Sequence, residues 1–230
     1  MINAASVSVL VTTYRRFRNL DRILAAWMDE GADQVWLLDG SGEYESQVEG
    51  VRVWNMPIDT GPKSDYAFAL MTEGDLIVLA DDDLLPLPGM LADLVDGWEN
   101  VRRRTAGEPI VGIIGRTFLG PDYHANTAFY ASNKIDSPVR VGFVGVVCLT
   151  PRCNLGFDLR GLPRNADDLW WQMKERPTVP KWVVPTKAYE NLPECKDGTA
   201  MYRDKTLAPQ RQEFYERYYR EHYEPEKRIF

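Results

Sequence analysis

Along the first 115 residues, apolar runs of strand length alternate with stretches whose apolar residues recur at helical spacing. Ser6 to Thr13 is β-branched and almost wholly apolar, the pattern of a strand covered on both faces. After Asn19, a candidate N-cap, Leu20, Ile23, Leu24, Trp27 and Met28 mark one face of a helix that runs to Gly31. Gln34 to Leu38 and Val51 to Trp54 follow as short strands, separated by Asp39-Gly40-Ser41-Gly42. A turn-rich loop from Pro57 to Pro62 leads into a helix that Ser64 can cap, carrying Phe68, Leu70 and Met71. Asp75 to Ala80 is the most apolar strand and delivers Asp81, Asp82 and Asp83 onto a proline-bounded loop. A helix from Pro88-Gly89 to Arg104 and a strand from Ile110 to Ile114 complete the series. Such alternation predicts an α/β fold of Rossmann-like type: a mixed, mainly parallel sheet with helices on both faces.

Beyond Arg116 the pattern changes. Thr117 to Pro138 has no clear period, and Val139 to Leu149 is long enough, with Gly142 and Gly145, for a bent or bulged strand. Ala166 to Glu175 reads as a helix with Asp167 and Asp168 in its first turn. Lys181 to Val184 reads as a strand, and Gln210 to Tyr223 as a helix studded with aromatic residues. The loop from Pro185 to Lys205 reads as a lid that orders over a bound ligand. No internal repeat or long linker divides the chain, so residues 1–230 are expected to form one domain. It comprises a nucleotide-binding half (1–115), an acceptor-side half (116–206) and a C-terminal helix (207–230).

Composition narrows the function classes. A net charge of -7 argues against a nucleic-acid surface or a polybasic membrane patch, and 44% hydrophobic content in 230 residues supports a well-buried core. Cys148, Cys153 and Cys195 lack metal-ligand spacing and are odd in number, which suits a reducing, cytoplasmic setting. The sequence has neither signal-peptide pattern nor apolar run long enough to span a membrane.

Candidate chemistry collects where strands end. In an open parallel sheet, ligands sit beyond the carboxyl ends, and three strands here end in Thr12-Thr13, Asp39 and Asp81 to Asp83. No glycine-rich dinucleotide fingerprint or P-loop occurs, so phosphate would be held by other means. Three adjacent carboxylates need counter-charge, and an oxygen-preferring Mn2+ or Mg2+ ion shared with a diphosphate would supply it. A solvated acidic turn is the plainer alternative.

Four segments taken together resemble GT-A-fold glycosyltransferases, most nearly the large family-2-like group and more distantly the exostosin C-terminal domains. They are Val7 to Tyr14 with Arg16, Leu38 to Ser41, Gly61-Pro62 through Leu70, and Leu79 to Asp83; Asn165 to Trp170 is a fifth. The resemblance spans roughly residues 6 to 175. It implies a non-processive, metal-dependent transfer of one sugar from a nucleoside-diphosphate sugar to an acceptor hydroxyl. By that match Thr12, Thr13, Tyr14 and Asp39 face the base, Asp81 faces the ribose and the metal, and Asp83 binds the metal. Arg16 and Lys63 lie near the diphosphate. Asp168, with Asp167 second, takes the acceptor's proton, although acids in a first helical turn also serve the helix dipole. His222, or less favourably His124, is a further candidate ligand to the metal. Asp82, pointing away from its neighbours, is expected to tolerate substitution best. The processive synthases' Gln-x-x-Arg-Trp is absent, and the resemblance leaves inversion or retention open. A sugar-phosphate nucleotidyltransferase is disfavoured because Thr12 to Arg16 lacks glycine, and a non-catalytic binding domain remains the third reading.

Overall fold

The computed structural model describes residues 5–56, 61, 64–123, 125, 127–163, 166–193 and 207–222, with side chains of the last segment described for 208–218. Lys63, His124, Cys195, the side chain of His222 and most of the expected lid (194–205) lie outside the described residues.

The elements run β1 (Val7–Thr13), α1 (Leu20–Asp29), β2 (Gln34–Asp39), β3 (Arg52–Asn55), α2 (Ser64–Ala69) and β4 (Leu76–Asp81). They continue with β5 (Leu84–Pro86), α3 (Met90–Arg102), β6 (Ile110–Phe118), β7 (Thr127–Ala131), β8 (Val139–Val141) and β9 (Phe143–Pro151). The last are α4 (Asp167–Leu169), β10 (Lys181–Val183), β11 (Tyr189–Asn191) and α5 (Leu207–His222). Nine strands form the main sheet in the order β3-β2-β1-β4-β9-β6-β10-β8, with β7 paired to β6. The left half, β3 to β4, is wholly parallel. β9 enters antiparallel between β4 and β6, which restores the direction for β6 and β10. The chain builds leftward from β1 and then rightward to β4, so the strand order reverses between them, the point at which sheets of this kind form a crevice beyond the carboxyl ends.

Helices cover both faces, as the alternation predicts. On one, Leu20, Ile23, Leu24 and Trp27 of α1 and Leu91, Leu94 and Trp98 of α3 pack on Val9, Val11, Val78 and Val111. On the other, Tyr66 and Ala69 of α2, together with Trp171, pack on Leu10, Ile77 and Val144. β4 is therefore apolar from Leu76 to Ala80, and β1 is apolar from Val9 to Val11 with a buried Ser8 before it, because both of their faces are covered.

The expected long strand after Pro138 is two, broken at Gly142, where a Cβ would sit 2.7 Å from the Phe118 ring. β9 also carries the expected bulge. Val146 there has φ +69°, in the left-handed region that a β-branched residue rarely enters, and the β6–β9 register shifts alongside it. Part of the expected lid is strand: β11 pairs antiparallel with β5, an element the periodicity does not predict. The helix expected over Ala166 to Glu175 starts as α4 and widens into a π-helix from Trp170 to Glu175, with Arg176 N–H donating to Trp171 O at 2.9 Å. α5 begins before Pro209, whose missing N–H costs nothing in a first turn. No helix among the described residues is long and apolar enough to cross a membrane.

Candidate functional site

β1 and β4 run parallel in a register that sets Thr12 beside Asp81, at the mouth of the crevice. α2 and α4 bring further carboxylates, Asp65 and the pair Asp167–Asp168. The charges of Asp167 and Asp81 both act on Asp65, and that of Asp168 acts on Asp81, so four acids from three elements stand close enough to influence one another.

Asp82 and Asp83 are not part of that open set. The Thr13 hydroxyl donates to Asp82 Oδ2 at 2.6 Å, and Arg16 reaches both acids, pairing with Asp82 and with Asp83 Oδ2 at 3.0 Å. Arg16 returns to them because Arg15 turns the chain through φ +59°. The counter-charge that three adjacent carboxylates require is thus supplied largely by a guanidinium. Asp82, expected to be the most expendable, is buried and doubly bonded, and burial pushes its carboxyl up to about 6 while Arg16 and Thr13 pull it down. Side-chain alternation fails as a guide there because Asp82 lies past the end of β4, in the turn before β5.

Asp81 makes no ion pair among the described residues. It is open to water on one side yet ringed by protein. Its carboxyl lies well above the usual range, first from that enclosure and then from the charges of Asp83 and Asp82. Asp65 is pushed well up by burial and next by Asp167, with a hydrogen bond from Thr12 opposing. Its Oδ1 is a buried oxygen with no hydrogen-bond partner among the described residues.

Two residues expected to face the base are buried and bonded within the protein. Asp39 is 0% exposed, and its oxygens accept from Ser41 N–H and Oγ–H and from the Glu43 and Tyr44 N–H groups, at 2.7 to 2.8 Å. Its capacity is used in shaping the loop after β2. Thr13 is buried against Asp82. Tyr14, by contrast, is 48% exposed beside the Arg15 guanidinium, and Thr12 is half-buried at the crevice.

The acidic pair is divided in its bonding. Arg211 of α5 forks onto Asp168, with Nη1–Oδ1 at 2.8 Å and Nη2–Oδ2 at 3.0 Å, and Nη2 also donates to Tyr123 Oη at 2.9 Å. Asp167, 7% exposed, accepts from Tyr66 Oη–H at 3.0 Å, and burial, followed by Asp168, pushes its carboxyl up to about 7. Bonding distinguishes the two acids: both oxygens of Asp168 are held by Arg211, whereas Asp167 is buried against the Tyr66 hydroxyl. Asp65, Tyr66 and Arg211 were not singled out from sequence. Asp65 is indistinguishable there from a first-turn acid, and Arg211 lies 43 residues from the group it binds, with no motif joining them.

Oxygen-preferring divalent ions, Mg2+ above all, complete their shells with water and substrate phosphate and need only one or two carboxylates. Asp81 suits that role, whereas Asp83 is shared with Arg16. Among the described residues no group of three His, Cys, Asp or Glu side chains could hold a metal unaided. A separate cavity of about 390 Å³, lined by Asp93, Asp96, Asn100, Arg104 and Asp136 among others, lies at the α3 and β8 side and includes none of these residues. Compared with models of protein families and with curated proteins, the chain matches none.

Proposed function

We propose that the chain is a glycosyltransferase that moves one sugar from a nucleoside-diphosphate sugar to an acceptor hydroxyl, in single transfers, with Mn2+ or Mg2+. The observation that carries the reading is the meeting of Thr12 and Asp81 with Asp65 and the Asp167–Asp168 pair, at the point where strand order reverses. Such a crevice takes a nucleotide at the strand ends and leaves the α4 side for the acceptor.

Asp81 is the residue that would hold the ion, together with oxygens of the diphosphate. When bound, the ion supplies positive charge against the departing diphosphate. The chain's own residues do the remaining work. Arg16 holds Asp82 and Asp83 in place, so the loop after β4 is rigid before any ligand arrives. Tyr14 offers an exposed ring at the crevice mouth for a base or sugar face. In the transfer, the acceptor oxygen bonds to the anomeric carbon while the bond from that carbon to the diphosphate oxygen breaks. The electron pair leaves with the nucleoside diphosphate, and the hydroxyl proton passes to a carboxylate of the α4 pair.

Thermal unfolding with a panel of nucleoside-diphosphate sugars, with and without Mn2+, tests the reading. A ligand at about 100 times its Kd adds about 2.7 kcal/mol, which for a domain of this size is roughly 5–10 °C. At least one sugar nucleotide should give such a rise only with metal, and Asp81→Asn should fold normally and lose it. No shift with any donor, or wild-type binding by Asp81→Asn, would overturn the proposal.

A further inference from the structure

Asp168 and Asp167 are consecutive, yet α5 reaches only one of them. The Arg211 guanidinium is held on three sides: forked onto both Asp168 oxygens, donating to Tyr123 Oη, and stacked on the rings of Tyr123 and Phe143 at 5.2 and 5.7 Å. Gln212 fixes the same turn, accepting from the Tyr123 N–H at 2.8 Å and donating to Pro121 O at 3.0 Å. Tyr215 adds a bond to Gly120 O. This is a preorganised fork in which the guanidinium cannot swing away without undoing the seat of α5.

We infer that Arg211 is a positioning residue for the transfer proposed above: by forking onto Asp168 it occupies both oxygens of that carboxylate and leaves Asp167 to take the acceptor's proton. The inference rests on that reading for the identity of the proton donor, but the coupling between the three side chains does not.

The groups facing Asp167 come from three elements. Asp168 is its neighbour in α4, Tyr66 and Asp65 project from α2, and Arg211 reaches in from α5; Asp81 of β4 and Cys148 of β9 stand behind, coupled through Asp65 and Asp168. After burial, Asp168 is what most raises the proton affinity of Asp167, and Arg211 is what most lowers it. The two variants therefore act in opposite directions. Arg211→Gln removes the opposing cation, so Asp167 stays protonated to higher pH. Asp168→Asn removes the adjacent anion, so Asp167 ionises at lower pH. A pair that only seats α5 would shift the midpoint by charge alone and would leave the acid limb of kcat where it was.

The test has two independent readouts. Carboxyl 13C NMR of Asp-labelled protein follows Asp167 directly, without substrate, and is assigned by its loss in Asp167→Asn. The expected result is an upward shift of its midpoint in Arg211→Gln and a downward shift in Asp168→Asn. Shifts in the same direction, or none in either variant, overturn the coupling. With a donor that the wild type turns over, the acid limb of kcat should move the same way in each variant, and Asp167→Asn should lose at least 100-fold in kcat while still binding the donor. An Asp167→Asn variant of normal kcat, or an Asp168→Asn variant as dead as it, overturns the assignment of the proton to Asp167. If no donor is turned over while the NMR midpoints diverge, the coupling stands and the transferase reading fails.

Discussion

Replacing Asp39 separates a ligand-facing carboxylate from one that builds the fold. In Asp39→Ala, four donors lose their acceptor at once. Glu43 is exposed, and its N–H regains water at little cost; the Ser41 hydroxyl can rotate toward solvent. The Tyr44 N–H belongs to a buried residue, and that of Ser41 to a half-buried one. A buried donor left without a partner costs about 1–3 kcal/mol. The loss expected from these two, allowing the loop to relax, is about 2–4 kcal/mol, a large part of the 5–15 kcal/mol typical of a domain. Asp39→Asn should recover only part of it, because its NH2 group faces donors rather than acceptors. Urea unfolding followed by tryptophan fluorescence gives both values. Variants within about 0.5 kcal/mol of wild type that nevertheless lose donor affinity would refute the argument and return Asp39 to the base.

Other outcomes follow from the same kind of accounting. Arg16→Ala strands two carboxylates, one of them buried, and should destabilise by about 3–5 kcal/mol, the range for breaking a buried pair. Asp82→Ala should also be clearly destabilising and Asp83→Ala much less so, because Asp83 keeps contact with water; equal effects in urea unfolding would contradict the assignment of Asp82 as the buried partner. Lys181 is 3% exposed, its Nζ donates only to the Arg176 carbonyl among the contacts described, and burial, followed by Arg140, lowers it to about 7. An amine whose folded pKa is depressed contributes stability above its unfolded pKa and loses it as pH falls toward the folded value. Wild type minus Lys181→Met should therefore gain stability as pH rises from about 7 toward 10. A difference flat across that window would show that the amine is hydrated in the folded state.

The sequence by itself determined the scaffold. β1 and β4 were legible because burial on both faces demands nearly continuous apolar runs, and α1 and α3 because a helix covering a sheet must keep one apolar stripe. Strand ends were legible too, so Thr12 and Asp81 could be assigned to one edge of the sheet, and the strand order then set them side by side. Local chemistry was less legible: β5 and β11 are three residues each, too short for a period to declare itself.

Only the tertiary structure decided which of the acids are spent and which remain open. A string such as Asp81-Asp82-Asp83 looks uniform, but the turn after β4 gives Asp82 to Thr13 and Arg16 and leaves Asp81 without an ion pair among the described residues. Asp167 and Asp168 are equally uniform in sequence, and an arginine 43 residues downstream from Asp168 separates their bonding. The physical reason is common to both. A carboxylate's chemistry is set by the charges and donors within a few ångströms, and those arrive from elements whose distance along the chain carries no signal of their approach in space.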